Sequence, residues 1–336
     1  WVLLALIRTW PAALAGAEVV GRHFDSLGTV WVIDAATRLG FDLHDPFSAW
    51  PSGATYSAID SWLLFPLAWL GDSYSPAGLH GGLQILGVSS SAFAMSRFAL
   101  VLGATSPFHH VAGLVFMGSG LAAAALLEGH VYQIIIPWLP WMALYLWKMN
   151  LPEPRMHYGV LAGFFFAMSL FTSGYIGISA GLVGLGLGIP ILFGAQDRKP
   201  ILIAGVVAML AAVLYIYLFQ TVGQPGATHA TADTLRMGSL SLASLGPPGA
   251  EVDRSGHSWA LALSASAVAL SVVSLRMGHA AAKPLLLIAL GSVLIAMGPQ
   301  WAVGSFSDPD LISSPIAPLW DIPMGRYLRW SGRVLW

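Results

Sequence analysis

The chain has 336 residues, of which 56% are hydrophobic and only 9% charged, against about 25% charged in an ordinary soluble protein. So few charges cannot clothe a water-facing surface of this size but can clothe a lipid-facing one, so an all-α, polytopic membrane protein is expected. A net charge of −1 offers no footprint for nucleic acid, and the absence of cysteine excludes a disulfide framework and a thiolate metal site.

A membrane span needs about 20 mostly apolar residues. The first such stretch is 1–17, followed by a long polar segment, 18–77. Within it, 25–39 reads as a surface helix with Asp25 near its N-terminus, where a carboxylate suits the helix dipole. Residues 57–71, with Trp62, Leu63, Leu64, Phe65, Leu67, Trp69 and Leu70, are too short to cross and read as an interfacial or re-entrant element. Further spans are expected at 78–99, 104–127, 131–149, 157–172, 174–195, 200–220, 258–276 and 282–301, which makes about nine in a single transmembrane domain, 1–336. Segments 221–257 and 302–333 are the other long loops, the first rich in Gly, Pro, Ser and Thr. The chain opens on Trp1 without a methionine and closes on Trp336 at the approach to another apolar stretch, so a fragment of a longer protein is expected.

Charge arbitrates one boundary. The break at Thr172-Ser173-Gly174 is weak, and 157–195 could be one long tilted span. Alternation from a cytoplasmic N-terminus puts Arg97, Lys148, Arg155, Arg198, Lys199, Arg276 and Lys283 in inner connections with just Glu153 and Asp197 for acids, and leaves 18–77, 221–257 and 302–333 outside. Merging 157–195 would place Lys148 and Lys199 on opposite sides, so two spans are expected. Arg8 sits best near the inner end of the first span, where its long stem can snorkel.

Three groups of residues can carry chemistry. Asp25 lies in Arg22-His23-Phe24-Asp25-Ser26, followed by Trp31; it can take a proton from an acceptor hydroxyl or simply cap a helix. Glu128-Gly129-His130 forms a turn between the third and fourth spans, where an acid and an imidazole can share a divalent cation or a hydroxyl, or merely mark the membrane surface. Arg326, Arg329 and Arg333, spaced by three and four, share one helical face that can bind phosphate in bidentate fashion or rest on anionic headgroups. Asp34, Asp42, Asp45 and Asp60 match no calcium loop, His109-His110 reads as structural, and the run Gly181, Gly184, Gly186, Gly188 reads as close helix packing rather than a phosphate cradle.

The stretches TWPAALAGAEVVGRHFDSLGTVWVIDAATRLG and DPFSAWPSGATYSAIDSWLLFPLAWLG resemble the first outer loop of bacterial GT-C-type membrane glycosyltransferases: an acid soon after the first span, then a Trp, a Pro-x-Gly and an apolar segment ending in Gly. Here these are Asp25, Trp31, Pro51 with Gly53, and Gly71. EGHVYQIIIPWLPW is similar to the Gly-His and Trp-Pro pattern after the third span, SLFTSGYIG to a Ser/Gly-Tyr turn, and DIPMGRYLRWSGR to an arginine-rich outer helix. Phe24-Asp25 replaces the family's Gly-Asp pair, no second acid adjoins it, and later spans and a C-terminal soluble domain are absent from the sequence.

The resemblance implies inverting transfer of a sugar from a polyprenyl-phosphate carrier to an acceptor on the extracytoplasmic face of a bacterial inner membrane. Asp25 would be the base, Glu128 and His130 would position the acceptor or a divalent cation, and Arg326, Arg329 and Arg333 would hold the carrier phosphate. The competing readings are a non-catalytic assembly or scaffold subunit and a secondary transporter. The latter calls for ionisable groups at mid-membrane depth and paired halves, and neither stands out in the sequence.

Overall fold

The structure is a computed structural model; it describes residues 1–9, 24–39, 44–45, 54–55, 70, 73–118, 122, 125–126, 129–194, 197–222, 282–296, 300–305, 308–313 and 318. Expectations for 57–69, the loop 221–257 beyond Val222, the span 258–276 and the arginine segment 326–333 lie outside these residues. The architecture is helical, with two short antiparallel strand pairs: β1 (His44–Asp45) with β2 (Ala54–Thr55), and β3 (Gln300–Ser305) with β4 (Asp308–Ser313). Two compact units are distinguished, one comprising 1–118, 122–180 and 191–227, the other 119–121, 181–190 and 228–336.

The first unit is built around α3 (Pro76–Val101). Ser75 caps it, its hydroxyl accepting from the Gly78 amide at 3.1 Å, and Pro76 fills the first position, where no amide is needed. At the other end Gly103 has φ +97°, and Gly103 and Ala104 donate back to the carbonyls of Leu100 and Ala99. That is the left-handed stop which glycine makes without steric cost. Its 26 residues reach about 39 Å at ~1.5 Å per residue, enough to cross a hydrocarbon layer of about 30 Å.

Contacts fix the direction of each neighbour. In α4 (Phe108–Gly118), the ring of His109 lies 3.0 Å from the Ser96 hydroxyl, and Gly113 abuts the Ala92 carbonyl, so the two helices run antiparallel. The short α1 (Val2–Thr9) starts at the same end, with the Trp1 ring 5.9 Å from that of His110. The stretch expected as one span at 131–149 is two helices, α5 (Val131–Ile134) and α6 (Trp138–Lys148). Pro137 is the cause: it has no amide to continue the ladder, and Ile135 turns out of helical geometry at ψ 76°. Phe93 meets Trp141 edge-on at 6.1 Å and Ser91 meets Ile134 and Ile136, so α5 and α6 run parallel to α3.

An aromatic seam joins α6 to α7 (Met156–Thr172). Tyr145 lies 6.0 Å from Tyr158, Trp141 lies 6.2 Å from Phe165, and Trp138 bonds to Thr172, which makes the pair antiparallel. The chain then breaks at Ser173, in extended geometry, before α8 (Gly174–Gly194). In α9 (Lys199–Val222), Pro200 abuts Gly159, Val207 abuts Gly163, and Tyr215 meets Phe171 at 5.8 Å. Helices α7 and α9 are therefore parallel and packed directly on each other, so α8, which connects them in the chain, returns in the opposite direction. This separates 157–172 from 174–195, as the charge pattern requires. It also collects Arg97, Lys148, Arg155, Arg198 and Lys199 at one end of the unit, here called the basic end.

In the second unit, Gly186 faces Ile288 and Pro284, and Leu182 faces Gly291, so α10 (Ala282–Ala296) runs antiparallel to the Gly181–Pro190 stretch. Of the glycine run, Gly186 serves close packing, while Gly181 and Gly184 have open space beside them. Of the expected span 282–301, the helix is described over Ala282–Ala296, and a strand begins at Gln300.

Among the described residues, three helices are long and apolar enough to cross a membrane: Pro76–Val101, Gly174–Gly194 and Lys199–Tyr217. Helices α4, α7 and α10 are apolar but shorter.

Two outcomes check this arrangement. Single cysteines at Glu153 and Asp197, introduced into the cysteine-free chain, should label from the same side of a sealed vesicle; labelling from opposite sides would break the parallel pairing of α7 and α9. Gly159→Leu should lower unfolding stability by about 1–3 kcal/mol through overpacking against Pro200, read from denaturation in detergent; an unchanged midpoint would show that the two helices are not in close contact there.

Candidate functional site

At the end opposite the basic end, three segments meet. The second half of α2 (Phe24–Leu39) buries Ile33 and Ala36 against Leu79 and Leu83 from the start of α3 and against Val131 and Ile135, with Val32 and Trp138 packed alongside. Apolar burial of this kind supplies about 25 cal/mol per Å². It also ties the helix that carries Asp25 to the turn that carries His130.

Asp25 is the second residue of α2, in the first turn as expected, and in helical register it stands one turn before Thr29 and two before Ile33. Its side chain lies outside the described residues. Asp34 is engaged elsewhere: its carboxylate accepts from the Arg38 guanidinium at 2.9 Å, both side chains being 41–44% exposed. An exposed i,i+4 pair contributes a few tenths of a kcal/mol at most. Asp34 is thus a solvated surface acid, distinct from the Ile33 and Ala36 face.

The turn itself is compact. Gly129 has φ +73°, a conformation side-chain-bearing residues rarely adopt, and His130 donates its amide to the Ala125 carbonyl at 2.9 Å. His130 is buried, 4% exposed, at the head of α5. Glu128 lies outside the described residues, so its pairing with His130 does too. Among the described residues no group of three His, Asp or Glu is placed to hold a metal ion.

Below the turn, the broken segment is held by Ser91, fully buried on α3. Its hydroxyl donates to the Ile134 carbonyl at 3.2 Å and accepts from the Ile136 amide at 3.1 Å. The Ile136 amide also reaches the Ile134 carbonyl directly at 3.0 Å, so the Ser91 hydroxyl ties to α3 a tight turn that the broken segment closes by itself. Trp138 then donates its indole N–H to the Thr172 hydroxyl at 3.0 Å, and Thr172 donates onward to the Met168 carbonyl at 2.7 Å. Thus the EGHVYQIIIPWLPW and SLFTSGYIG stretches are joined directly, and the α2 stretch packs on the first of them.

Two buried residues escaped the sequence reading. His80 and Gln84, one turn apart on α3, are both 0% exposed. The His80 Nε2 atom lies 3.2 Å from the Gly129 carbonyl, so it carries the proton and donates, which leaves Nδ1 as a bare acceptor. His80 Nδ1, Gln84 Oε1 and Gln133 Nε2 are buried polar atoms without a hydrogen-bond partner, a rare condition in folded chains. The signal available in sequence was a His and a Gln at i, i+4 inside an otherwise apolar helix, where uncompensated polar groups are costly.

Compared with protein-family models, with curated proteins and with solved structures, the chain matches none.

Ser91→Val should destabilise the fold by about 1 kcal/mol, because it removes two buried hydrogen bonds and leaves the Ile134 carbonyl and Ile136 amide only their bond to each other, whereas Ser90→Val, on the neighbouring half-buried position, should cost less. Equal unfolding midpoints for the two variants would contradict the bridging role of Ser91.

Proposed function

We propose that the chain is an integral membrane glycosyltransferase of the GT-C type, spanning a bacterial inner membrane about nine times with its N-terminus in the cytoplasm. On this reading it moves a sugar from a polyprenyl-phosphate carrier to an acceptor at the extracytoplasmic face. The observation that carries the reading is the meeting of three separate stretches, those of Asp25, His130 and Thr172, at the end of the unit away from the basic side chains. These are stretches on which the family resemblance rests. They are far apart in sequence, and a resemblance due to hydrophobic composition alone gives no reason for them to adjoin. The clustering of cations at the other end supports the orientation, since cytoplasmic loops carry the excess of Lys and Arg.

Chemically, Asp25 accepts the proton of an acceptor hydroxyl as that oxygen attacks the anomeric carbon. The bond from that carbon to the phosphate oxygen breaks on the opposite face, which inverts the configuration. The leaving polyprenyl phosphate carries negative charge, and Arg326, Arg329 and Arg333 are the residues proposed to stabilise it. Glu128 and His130 position the acceptor, with or without a divalent cation. The three arginines and Glu128 lie outside the described residues.

Asp25→Asn keeps the size and the capping ability of the residue but removes the base, which is worth roughly 10²–10⁴-fold in rate. Transfer from a panel of polyprenyl-phosphate-linked hexoses and pentoses to cell-envelope acceptors should fall by that factor, with donor binding and unfolding stability nearly unchanged. Asp34→Asn should transfer normally. Normal transfer by Asp25→Asn would remove the catalytic assignment and favour an assembly subunit built on the same fold.

A further inference from the structure

We propose that His80 is a positioning residue for the transfer site: by donating from Nε2 to the Gly129 carbonyl it fixes where the Gly129-His130 turn sits on α3. The inference rests on the transferase reading and adds to it a residue outside the stretches that carry the family resemblance.

The argument separates the shape of the turn from its placement. Its shape is set locally. Gly129 donates to Leu126, His130 donates to Ala125, and Val131 donates to Gly129, all within a few residues, and the positive φ of Gly129 permits the reversal. None of these bonds says where the turn lies relative to the rest of the protein. Placement needs a long-range tether, and the His80 bond crosses 49 residues of sequence.

At the far end of α5, Ser91 supplies the counterpart by holding Ile134 and Ile136. Helix α5, one turn long, is therefore pinned to α3 at both ends by side chains that are fully buried. Between the pins the contacts are apolar: Val131 and Ile135 cluster with Leu79 and Leu83, and Ile134 lies against Gly87. Apolar contacts are non-directional and tolerate small slides. A hydrogen bond at 3.2 Å does not, since it weakens steeply with angle.

The chemistry of the pin is specific. An imidazole with its proton on Nε2 donates to the carbonyl, and the 75–80 stretch has no other residue of that reach on this face. A displacement of about 1 Å in a group that positions a reactant can cost on the order of a hundredfold in rate. The Gln84 amide, 3.4 Å from His80 Nε2, presents a donor to a donor and adds little to the tether.

The test uses the full chain in lipid nanodiscs with His80→Gln and His80→Phe. Glutamine places an amide N–H where Nε2 stood; phenylalanine fills the space without a donor. Two readouts are taken: kcat and donor KM for transfer from the polyprenyl-phosphate sugar panel, and backbone hydrogen exchange across 129–133. We expect His80→Phe to lower kcat by about ten- to a hundredfold with donor KM within about twofold, and to speed exchange in the turn. His80→Gln should restore both. The proposal is overturned if His80→Phe exchanges and transfers like the parent chain, or if His80→Gln fails as badly as His80→Phe. Should the parent chain transfer no sugar at all, the transferase reading fails. The exchange comparison then decides by itself whether His80 fixes the turn.

Discussion

A single hydroxyl makes the described site possible. Pro137 interrupts a strongly apolar run, and an interrupted helix away from water leaves peptide groups that nothing solvates. The Ile136 amide closes onto the Ile134 carbonyl, and Ser91 completes both groups by serving as donor and acceptor at once. Because it is anchored on α3, a long and continuous helix, the break is held at a fixed place. The geometry that follows from it, with the Gly129 turn above and the Trp138 indole aimed at Thr172 below, inherits that placement.

The second constraint is the alternation of directions. Helices α3 and α6 start at the turn end and α7 and α9 at the basic end, and the aromatic seam shows how closely adjacent helices are matched. Trp138, Trp141 and Tyr145 lie at helical spacing on α6, and Phe165 is 5.8–6.2 Å from each of them. At the basic end the seam finishes with Lys148, whose ammonium lies 5.4 Å from the Tyr145 ring and 5.6 Å from that of Tyr158. Such a cation over ring faces is worth about 0.5–1 kcal/mol at exposed sites and more when desolvated.

Much of this was legible in the sequence. Long apolar runs bounded by charge located α3, α8 and α9, and the sidedness of Lys148 and Lys199 forced two helices where hydropathy alone allowed one. Residues 25–39 read as a surface helix because Asp25 offers an acid near the N-terminus, where it suits the dipole. What the sequence hid was of two kinds. Pro137 was in plain view, but a 20-residue window averages over a breaker when the flanks are as apolar as these. His80 and Gln84 were visible as polar residues in an apolar helix, but not what they do. Their meaning depends on the carbonyl of Gly129, 49 residues distant from His80, and no local pattern reports a long-range tether.

The two ends of the unit differ in how they treat polarity, and that difference is the strongest physical argument for a site at one of them. At the basic end the charges Arg97, Arg155, Arg198 and Lys199 are exposed, and solvation alone satisfies them. At the turn end the polar groups His80, Gln84, His130, Gln133, Thr172 and Ser173 are buried. Burying an amide or an imidazole costs free energy unless it is bonded, and three of the atoms there have no partner. A chain under selection for stability alone would do better with Leu or Met at positions 80 and 84, and substitutions of that kind are readily accessible. Buried polarity at a packing cost, next to a left-handed glycine turn and a proline break, fits a place where positioning of chemical groups matters more than the last few kcal/mol.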